Sequence, residues 1–343
     1  MRKLLNTLYV TNPNSYLARD GETILIRVDD EVKFKIPALN IESVVCFGYP
    51  GASPALMRLC VEKGISIAFM NEYGKFLARI TGPVKGNVLL RRVQFKLSAD
   101  EKACLGIASN MIAGKIANCR YVLNRAIRDH GNKIEQEEVV SAADYLNNCY
   151  KRLKNGKSLD YIRGVEGDAA VAYFQVLDHL ILQQKEDFYI KNRNRRPPMD
   201  RFNAIISFLY SMLGFDVTSA LEAVGLDPAI GFLHRDRSGR NSLSLDLMEE
   251  LRPYLADRLA LSLINRKQIT ADDFTVKETG AVLLNENARK NVMVAWQKRK
   301  QEEIEHPFIK EKIAVGLIPH VQALLLARYL RGDIEEYPPF LCK

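Results

Sequence analysis

The sequence predicts an α+β protein, with an N-terminal β-sandwich-like domain followed by a larger all-α domain. Two observations carry this. Short apolar runs between turn residues fill the first part of the chain, whereas from about Ser98 apolar residues recur at helical spacing and glycine punctuation thins. At 343 residues the chain also exceeds an ordinary single domain. A boundary near Phe95 gives a strand-rich domain of residues 1–95 and a helical domain of residues 96–343.

The elements follow in order. Leu8, Tyr9 and Val10 form a short apolar strand. Residues 15–18 and 23–28 flank Asp20-Gly21, a hairpin signal between two apolar runs. Residues 32–37 alternate strictly, one face apolar and the other basic, while Ser43–Phe47 is a continuous apolar run that reads as a buried strand. One helix interrupts the strands. Ser53 followed by Pro54 supplies its cap and first turn, and Gly64 ends it. Residues 65–70 and 76–80 are further strands, and Gly82, Pro83 and Gly86 punctuate the end of the region. Beyond it, Ala103, Ile107, Met111, Ile112 and Ile116 mark a long helix ending near His130-Gly131. Residues 136–153 and 160–189 read as two more helices, and Gly231-Phe232-Leu233 as a short extended piece. The helix through Asp246 and Glu249 continues its apolar pattern to Leu255, Leu259 and Leu263, with Pro253 kinking or restarting it. A further helix carries Arg289 and Lys300, with Trp296 in its core face.

Composition bounds the function. Lys and Arg number 49 against 41 Asp and Glu, a net +8, which points to a polyanionic partner. No apolar run approaches the roughly 20 residues of a membrane span, and no leader pattern is legible at the start. The six cysteines make no C-x-x-C pair and several sit in apolar runs, as reduced thiols of a cytoplasmic protein do.

Three segments carry chemistry. In the helix through Ile162, Ala169, Tyr173 and Leu177, Glu166 interrupts an apolar stripe between Gly164 and Gly167. It reads either as a buried carboxylate paired with an arginine or as a ligand with room beside it. His234 follows an apolar triplet and precedes Arg235, Arg237 and Arg240. The imidazole is structural or metal-binding, and the arginines are a solvated turn or phosphate clamps. Asp246 and Glu249, three residues apart on one helix, are an acidic first turn or an acidic pair, with Arg252 placed to neutralise one of them. Together, two or more carboxylates and an imidazole without a thiolate suit Mg²⁺ or Mn²⁺ in phosphoryl chemistry.

Arg163-Gly164-Val165-Glu166-Gly167, residues 196–204 (RPPMDRFNA), Gly231-Phe232-Leu233-His234 and residues 242–253 (SLSLDLMEELRP), in this order, resemble the integrase-nuclease subunit of CRISPR adaptation. The opening Leu4-Leu5-Asn6-Thr7-Leu8-Tyr9-Val10 and residues 51–57 (GASPALM) are similar to its type I-C form. The resemblance spans essentially the whole chain. It implies insertion of short DNA fragments into a CRISPR array, in antiviral defence, by attack of a 3′-hydroxyl on a repeat phosphodiester. It implies Glu166, His234 and Glu249 as ligands of a divalent metal, and Asp246 as a supporting or substrate-handling residue of the catalytic group. It also implies dimerisation through the N-terminal domain, a small ferredoxin-like partner subunit, and an iron–sulfur nuclease that trims the incoming duplex.

The basic run Lys191, Arg193, Arg195, Arg196 is a candidate phosphate track, together with Arg235, Arg237 and Arg240. His306 and His320 read as structural. The segment after Arg331 carries no pattern that assigns it a role. Two other functions are compatible with these residues: a non-catalytic architectural DNA-binding protein, and a nuclease of branched DNA or RNA.

Overall fold

The computed structural model describes residues 6–71, 74, 76–82 and 88–342. Leu4 and Leu5 of the opening motif, and Pro83 and Gly86, lie outside them. The chain divides into two compact units, one of residues 1–85 with Glu286–Gln301, the other of residues 86–285 and 302–343.

The first unit holds two four-stranded sheets. One runs in the order β1 (Thr7–Val10), β5 (Ser43–Phe47), β7 (Ser66–Met70), β8 (Phe76–Ile80); the other joins β2 (Ser15–Asp20), β3 (Thr23–Val28), β4 (Glu31–Pro37) and β6 (Gly51–Ala52) in the order β4-β3-β2-β6. The β2–β3 hairpin closes at Asp20-Gly21, with Gly21 at φ +54°. β5 pairs parallel to both β1 and β7: strands β2–β4 lie in the connection from β1 to β5, and helix α1 (Pro54–Lys63) in the crossover from β5 to β7. Ser53 Oγ accepts from Leu56 N at 3.2 Å, and Gly64 closes the helix at φ +70°. Val10, Leu17, Ile24, Val44, Leu56 and Ile67 meet in one core drawn from both sheets and the helix.

The helix Glu286–Gln301 groups with this unit, although chain order places it among the helices. Its Trp296 is buried, as expected. The expected boundary at residue 95 falls inside the helix α2 (Val88–Ser98), whose helical pattern begins before the composition changes.

The second unit is built around α3 (Glu101–His130), capped by Asp100 and packed against α4 (Gln136–Leu153), α5 (Leu159–Val176) and α7 (Ser242–Arg252). Helix α6 (Arg201–Ala223) packs on α7. Helix α6 is long and apolar enough to cross a membrane by length and hydropathy alone, but 61% of its most apolar stretch is buried inside the protein, as in a core helix. The helix expected over 160–189 ends at Val176. A short 3₁₀ turn follows, and beyond it side chains satisfy the backbone: Asn265 bonds Leu180 O and Leu182 N, and Asp178 accepts from Ile190 N. At Pro253 the helical run widens into a π turn (Pro253–Asp257) before α8 (Arg258–Asn265) resumes, since proline has no N–H to donate. The unit is not purely helical. Strands β9 (Phe274–Val276) and β10 (Val282–Leu284) pair around a turn with Gly280 at φ +79°, and after α9 (Glu286–Gln301) come β11 (Glu303–Glu305) and β12 (Lys312–Ala314), then α10 (Ile318–Leu330).

The segment after Arg331 is part of the core. Tyr337 and Phe340 are almost fully buried. Asn118 of α3 donates to Glu250 O and Phe340 O at 2.7 and 2.8 Å and accepts from Cys342 N at 2.8 Å. The buried Glu250 carboxylate accepts from Tyr337 Oη (2.5 Å), Gln322 Nε2 (2.9 Å) and Phe340 N (2.9 Å). Gly114 permits this approach: a Cβ there would fall 2.9 Å from both Glu250 Cβ and Pro339 Cβ.

Candidate metal centre

Four pieces of the second unit converge. Helix α5, capped by Ser158, carries Glu166 on the stripe whose members Ile162, Val165, Ala169 and Tyr173 are buried. No atom of the chain would touch a Cβ at Gly164 or Gly167, so this side of the helix is open.

The segment expected to extend at Gly231-Phe232-Leu233 pairs with no strand, because a side chain takes its N–H groups. Asp246 of α7, fully buried, accepts from Phe232 N (2.6 Å), Leu233 N (3.0 Å) and His234 N (2.9 Å). Gly231 is required by this approach: a Cβ there would lie 2.7 Å from Asp246 Oδ2. Arg163 braces the loop from the other side, donating two hydrogen bonds to Leu233 O at 2.9 and 2.7 Å. His234 Nδ1 then lies 2.6 Å from Asp246 Oδ1 and donates to it. Nε2, on the far side of the ring, lies 4.0 Å from Glu249 Oε1.

Glu249 lies one turn beyond Asp246 on α7. Its Oε1 accepts from Arg252 Nη1 at 2.5 Å, the pairing the sequence suggests. Its Oε2 stands 2.7 Å from Lys115 Nζ, a buried ion pair. Lys115, on α3, also ion-pairs with Glu166, so one ammonium joins the two carboxylates. Burial favours the neutral form of Glu249, but Arg252 and Lys115 outweigh it and hold the carboxyl below the usual range. Burial likewise disfavours the charged lysine, and Glu249 and Glu166 reverse that, raising Lys115 above its ordinary value.

The cluster grades from dry to open: the Glu249 side chain is 4% exposed, His234 22% and Glu166 27%. Among the described residues no trio of acidic, His or Cys side chains stands at coordinating distance, and Lys115 is the cation between the carboxylates. The donor set nonetheless suits a hard divalent ion: two carboxylates that already share one cation, Lys115, and an imidazole whose other nitrogen a carboxylate holds. Lys115 and Arg163 are additions that sequence reading missed. The signal for Lys115 was available, since it interrupts the apolar run of Met111, Ile112, Ile116 and Cys119.

The basic runs divide. Arg240 stands near Arg237, Arg195 and Arg196. Arg240 loses proton affinity through burial, then through these three neighbours, partly offset by Asp246. The two runs, about 40 residues apart in the chain, thus make one patch. Lys191 is exposed, its ammonium 5.7 Å from the Tyr189 ring centre. Arg235 is exposed and pairs with Asp160 at 2.9 Å. Arg193 is a correction. Its guanidinium bonds Asn203 Oδ1 (2.7 Å) and Ser207 Oγ (3.2 Å) and lies over Tyr210, so its hydrogen bonds are spent on α6 instead of on a phosphate. His306 is buried and bonds Gln322, as a structural histidine does.

Residues 8–298 match the profile of a family described as CRISPR associated protein Cas1. The chain is 50% identical over 341 residues to the CRISPR-associated endonuclease Cas1 1 of Chlorobaculum tepidum, covering 99% of each. It is 35% identical to a CRISPR-associated exonuclease Cas4/endonuclease Cas1 fusion of Geobacter sulfurreducens, over 98% of this chain and 60% of the fusion. Among solved structures it superposes on a casposase bound to an integration product with TM-score 0.86 at 21% identity, covering 99% and 95% of the two chains. It also superposes on a Cas6-RT-Cas1–Cas2 complex with TM-score 0.82 at 21% identity, over 98% of this chain and 36% of that one.

Proposed function

The chain belongs to the CRISPR-associated Cas1 family, and from that premise we propose that it is a metal-dependent DNA integrase that inserts spacers into a CRISPR repeat array, its subtype resembling type I-C. One observation supports this reading: Lys115 ion-pairs with both Glu166 and Glu249, and Glu249 Oε1 lies 4.0 Å from His234 Nε2, whose ring Asp246 holds at the other nitrogen. Glu166, His234 and Glu249 would hold Mg²⁺ or Mn²⁺. Such an ion polarises a phosphodiester and stabilises a departing 3′-oxygen.

The protein's own groups set the stage for that chemistry. Asp246 keeps Nδ1 protonated and Nε2 free, and with Arg163 it fixes the height of the loop. Arg252 keeps Glu249 ionised in a dry environment. Lys115 balances the two carboxylates in the absence of an ion. Arg195, Arg196, Arg237 and Arg240 would grip the phosphates of the repeat, a sequence-independent contact. The 3′-hydroxyl of the incoming duplex then attacks in line. Water in its place gives the endonuclease activity that the names of the relatives carry.

The partners we assign are repeat DNA, a duplex with 3′-hydroxyl ends, and a second copy of this chain. Exposed Tyr16, Phe34, Tyr49, Phe76 and Leu77 on the strand-rich unit favour that unit as the dimer surface. A small ferredoxin-like Cas2-type subunit and a Cas4-type iron–sulfur nuclease are further partners, in keeping with the names of the complex and the fusion described above. The six free thiols suit a reducing cytoplasm.

The test is strand transfer of a fluorescent 3′-hydroxyl duplex into a supercoiled repeat plasmid, with the Cas2-type subunit present. Covalent joining that needs Mg²⁺ or Mn²⁺ and disappears in His234→Ala is the expected result. Joining retained in His234→Ala overturns the metal assignment. Cleavage without joining favours the nuclease of branched substrates, and DNA binding with neither favours the architectural protein.

A further inference from the structure

We propose that the groove between α3 and α4 binds an unpaired nucleotide, its phosphate on arginines and its base against tyrosine. The cavity measures about 490 Å³, and its lining includes Arg120, Tyr121, Asn124, Arg125, Arg128 and Tyr150. That size lies within the range of small-ligand sites. No carboxylate lines it among the described residues. Arg125 and Arg128 share a single acid, Asp129, at 3.2 and 2.9 Å, which leaves the three guanidiniums with a positive excess. Arg120 Nε is buried and has no hydrogen-bond partner, a donor waiting for an acceptor. Arg258 lies 5.6 Å from the centre of the Tyr121 ring, a cation–π contact that orders an aromatic side chain already lining the cavity.

Cationic side chains beside aromatic faces and an amide match a phosphate joined to a planar base. Duplex DNA hides its base faces, so an unpaired nucleotide is the form that uses both parts of the groove. The groove is separate from the metal centre. Asn124 follows Lys115 by nine residues of α3, a rotation of about 900° or half a turn net, so the two lie on opposite faces of the helix. A nucleotide held here is therefore anchored, and is not the phosphodiester that reacts. The function rests on the reading of this chain as a DNA-handling enzyme, but the site is testable without turnover.

The test is fluorescence anisotropy in EDTA, with a labelled ten-nucleotide oligo-dT, a duplex of equal length, and unlabelled dTMP as competitor. In Arg120→Ala/Arg125→Ala, oligo-dT affinity falls about tenfold and its salt slope falls by about 1.4, two single-strand phosphates' worth, while duplex affinity changes less than twofold. Tyr150→Ala weakens oligo-dT about fivefold with the salt slope unchanged, as loss of stacking should. Arg128→Glu, at a largely exposed position, keeps the test decisive if the double variant misfolds. Competition by dTMP at or below the oligo's own concentration range assigns the groove to free nucleotides, whereas competition only at a large excess assigns it to single-stranded DNA. Unchanged oligo-dT affinity in all variants, or equal losses on oligo and duplex, overturns the proposal. Strand transfer plays no part in these readouts, so they do not decide the metal centre.

Discussion

Glu249 and Glu250 are consecutive glutamates on α7, both buried, and they have opposite lives. Glu249 faces cations: Arg252 and Lys115 overcome the burial that would neutralise it, and it stays an anion. Glu250 faces only neutral donors, the hydroxyl of Tyr337, the amide of Gln322 and the N–H of Phe340. Burial dominates those hydrogen bonds and pushes its carboxyl up to about 7. One helical step of about 100° separates a face that meets Lys115 and Arg252 from a face that ties in the end of the chain. Residue type does not decide the role of a buried carboxylate; the charge of what surrounds it does.

The largest effect should come from breaking the charged side. Glu249→Ala removes a metal-facing group and also leaves Lys115 and Arg252 buried beside a lost anion. We expect strand transfer to fall about 100- to 1000-fold or more, together with about 3–5 kcal/mol of stability by urea unfolding. Glu166→Ala separates the two consequences. It should abolish transfer to a similar degree while costing no more than about 1 kcal/mol, since its partner Lys115 keeps Glu249 and the Glu166 side chain is partly open. Equal destabilisation by both substitutions would show that Glu166 is chiefly a structural ion pair.

Breaking the neutral side comes next. Asn118→Ala deletes three hydrogen bonds, two that hold the final segment to α3 and one that ties α3 to α7, and should lower stability by about 2–4 kcal/mol, read as a shift of the urea midpoint. A midpoint equal to that of the parent protein would mean that the terminal segment is not part of the core's cooperative unit.

Asp257 sharpens the comparison through pH. Like Glu250, it is raised, to about 6, chiefly by burial, which outweighs the hydrogen bond from Tyr210 and the nearby Arg193. A carboxyl whose pKa is raised on folding binds its proton more tightly in the native state. Its contribution is therefore fully present below its ordinary value of 3.8 and is lost as pH rises through about 6. Between pH 4 and 7, Asp257→Asn should gain on the parent protein by about 2–3 kcal/mol in relative stability as pH rises. A difference between the two proteins that stays flat with pH would show Asp257 ionised in the fold.

The smallest effect separates two arginines of one basic run. Arg196→Ala should weaken DNA binding a few-fold and reduce the salt slope by about 0.9, one duplex phosphate, without loss of stability. Arg193→Ala should leave the salt slope unchanged and lower the unfolding midpoint, because its hydrogen bonds go to Asn203 and Ser207.

Much of this protein was legible before any fold was known. The bounds of β3, β5, β8 and α4 coincide with the sequence reading, because alternation, turn residues and helix caps act within a few neighbours. Glu166, His234 and the acidic pair Asp246 and Glu249 stood out by residue type, but it was the resemblance to the CRISPR adaptation integrase, and not their spacing, that grouped Glu166, His234 and Glu249 as ligands. Three-dimensional packing decided the rest. Lys115 comes 51 residues before Glu166 and nothing local announces that the two meet. The unpaired segment at Gly231 and the inward-turned Arg193 share a cause, since in each case a side chain ten or more residues away takes up the hydrogen bonds that local pattern leaves unassigned. The sequence alone determined the strand-rich first part, most of the helices and which side chains carry charge or an imidazole, since these follow from short-range sterics and residue chemistry. Only the tertiary structure decided which carboxylate is charged, which arginine is free and where the end of the chain is held, since those depend on burial and on charges that distant segments bring together.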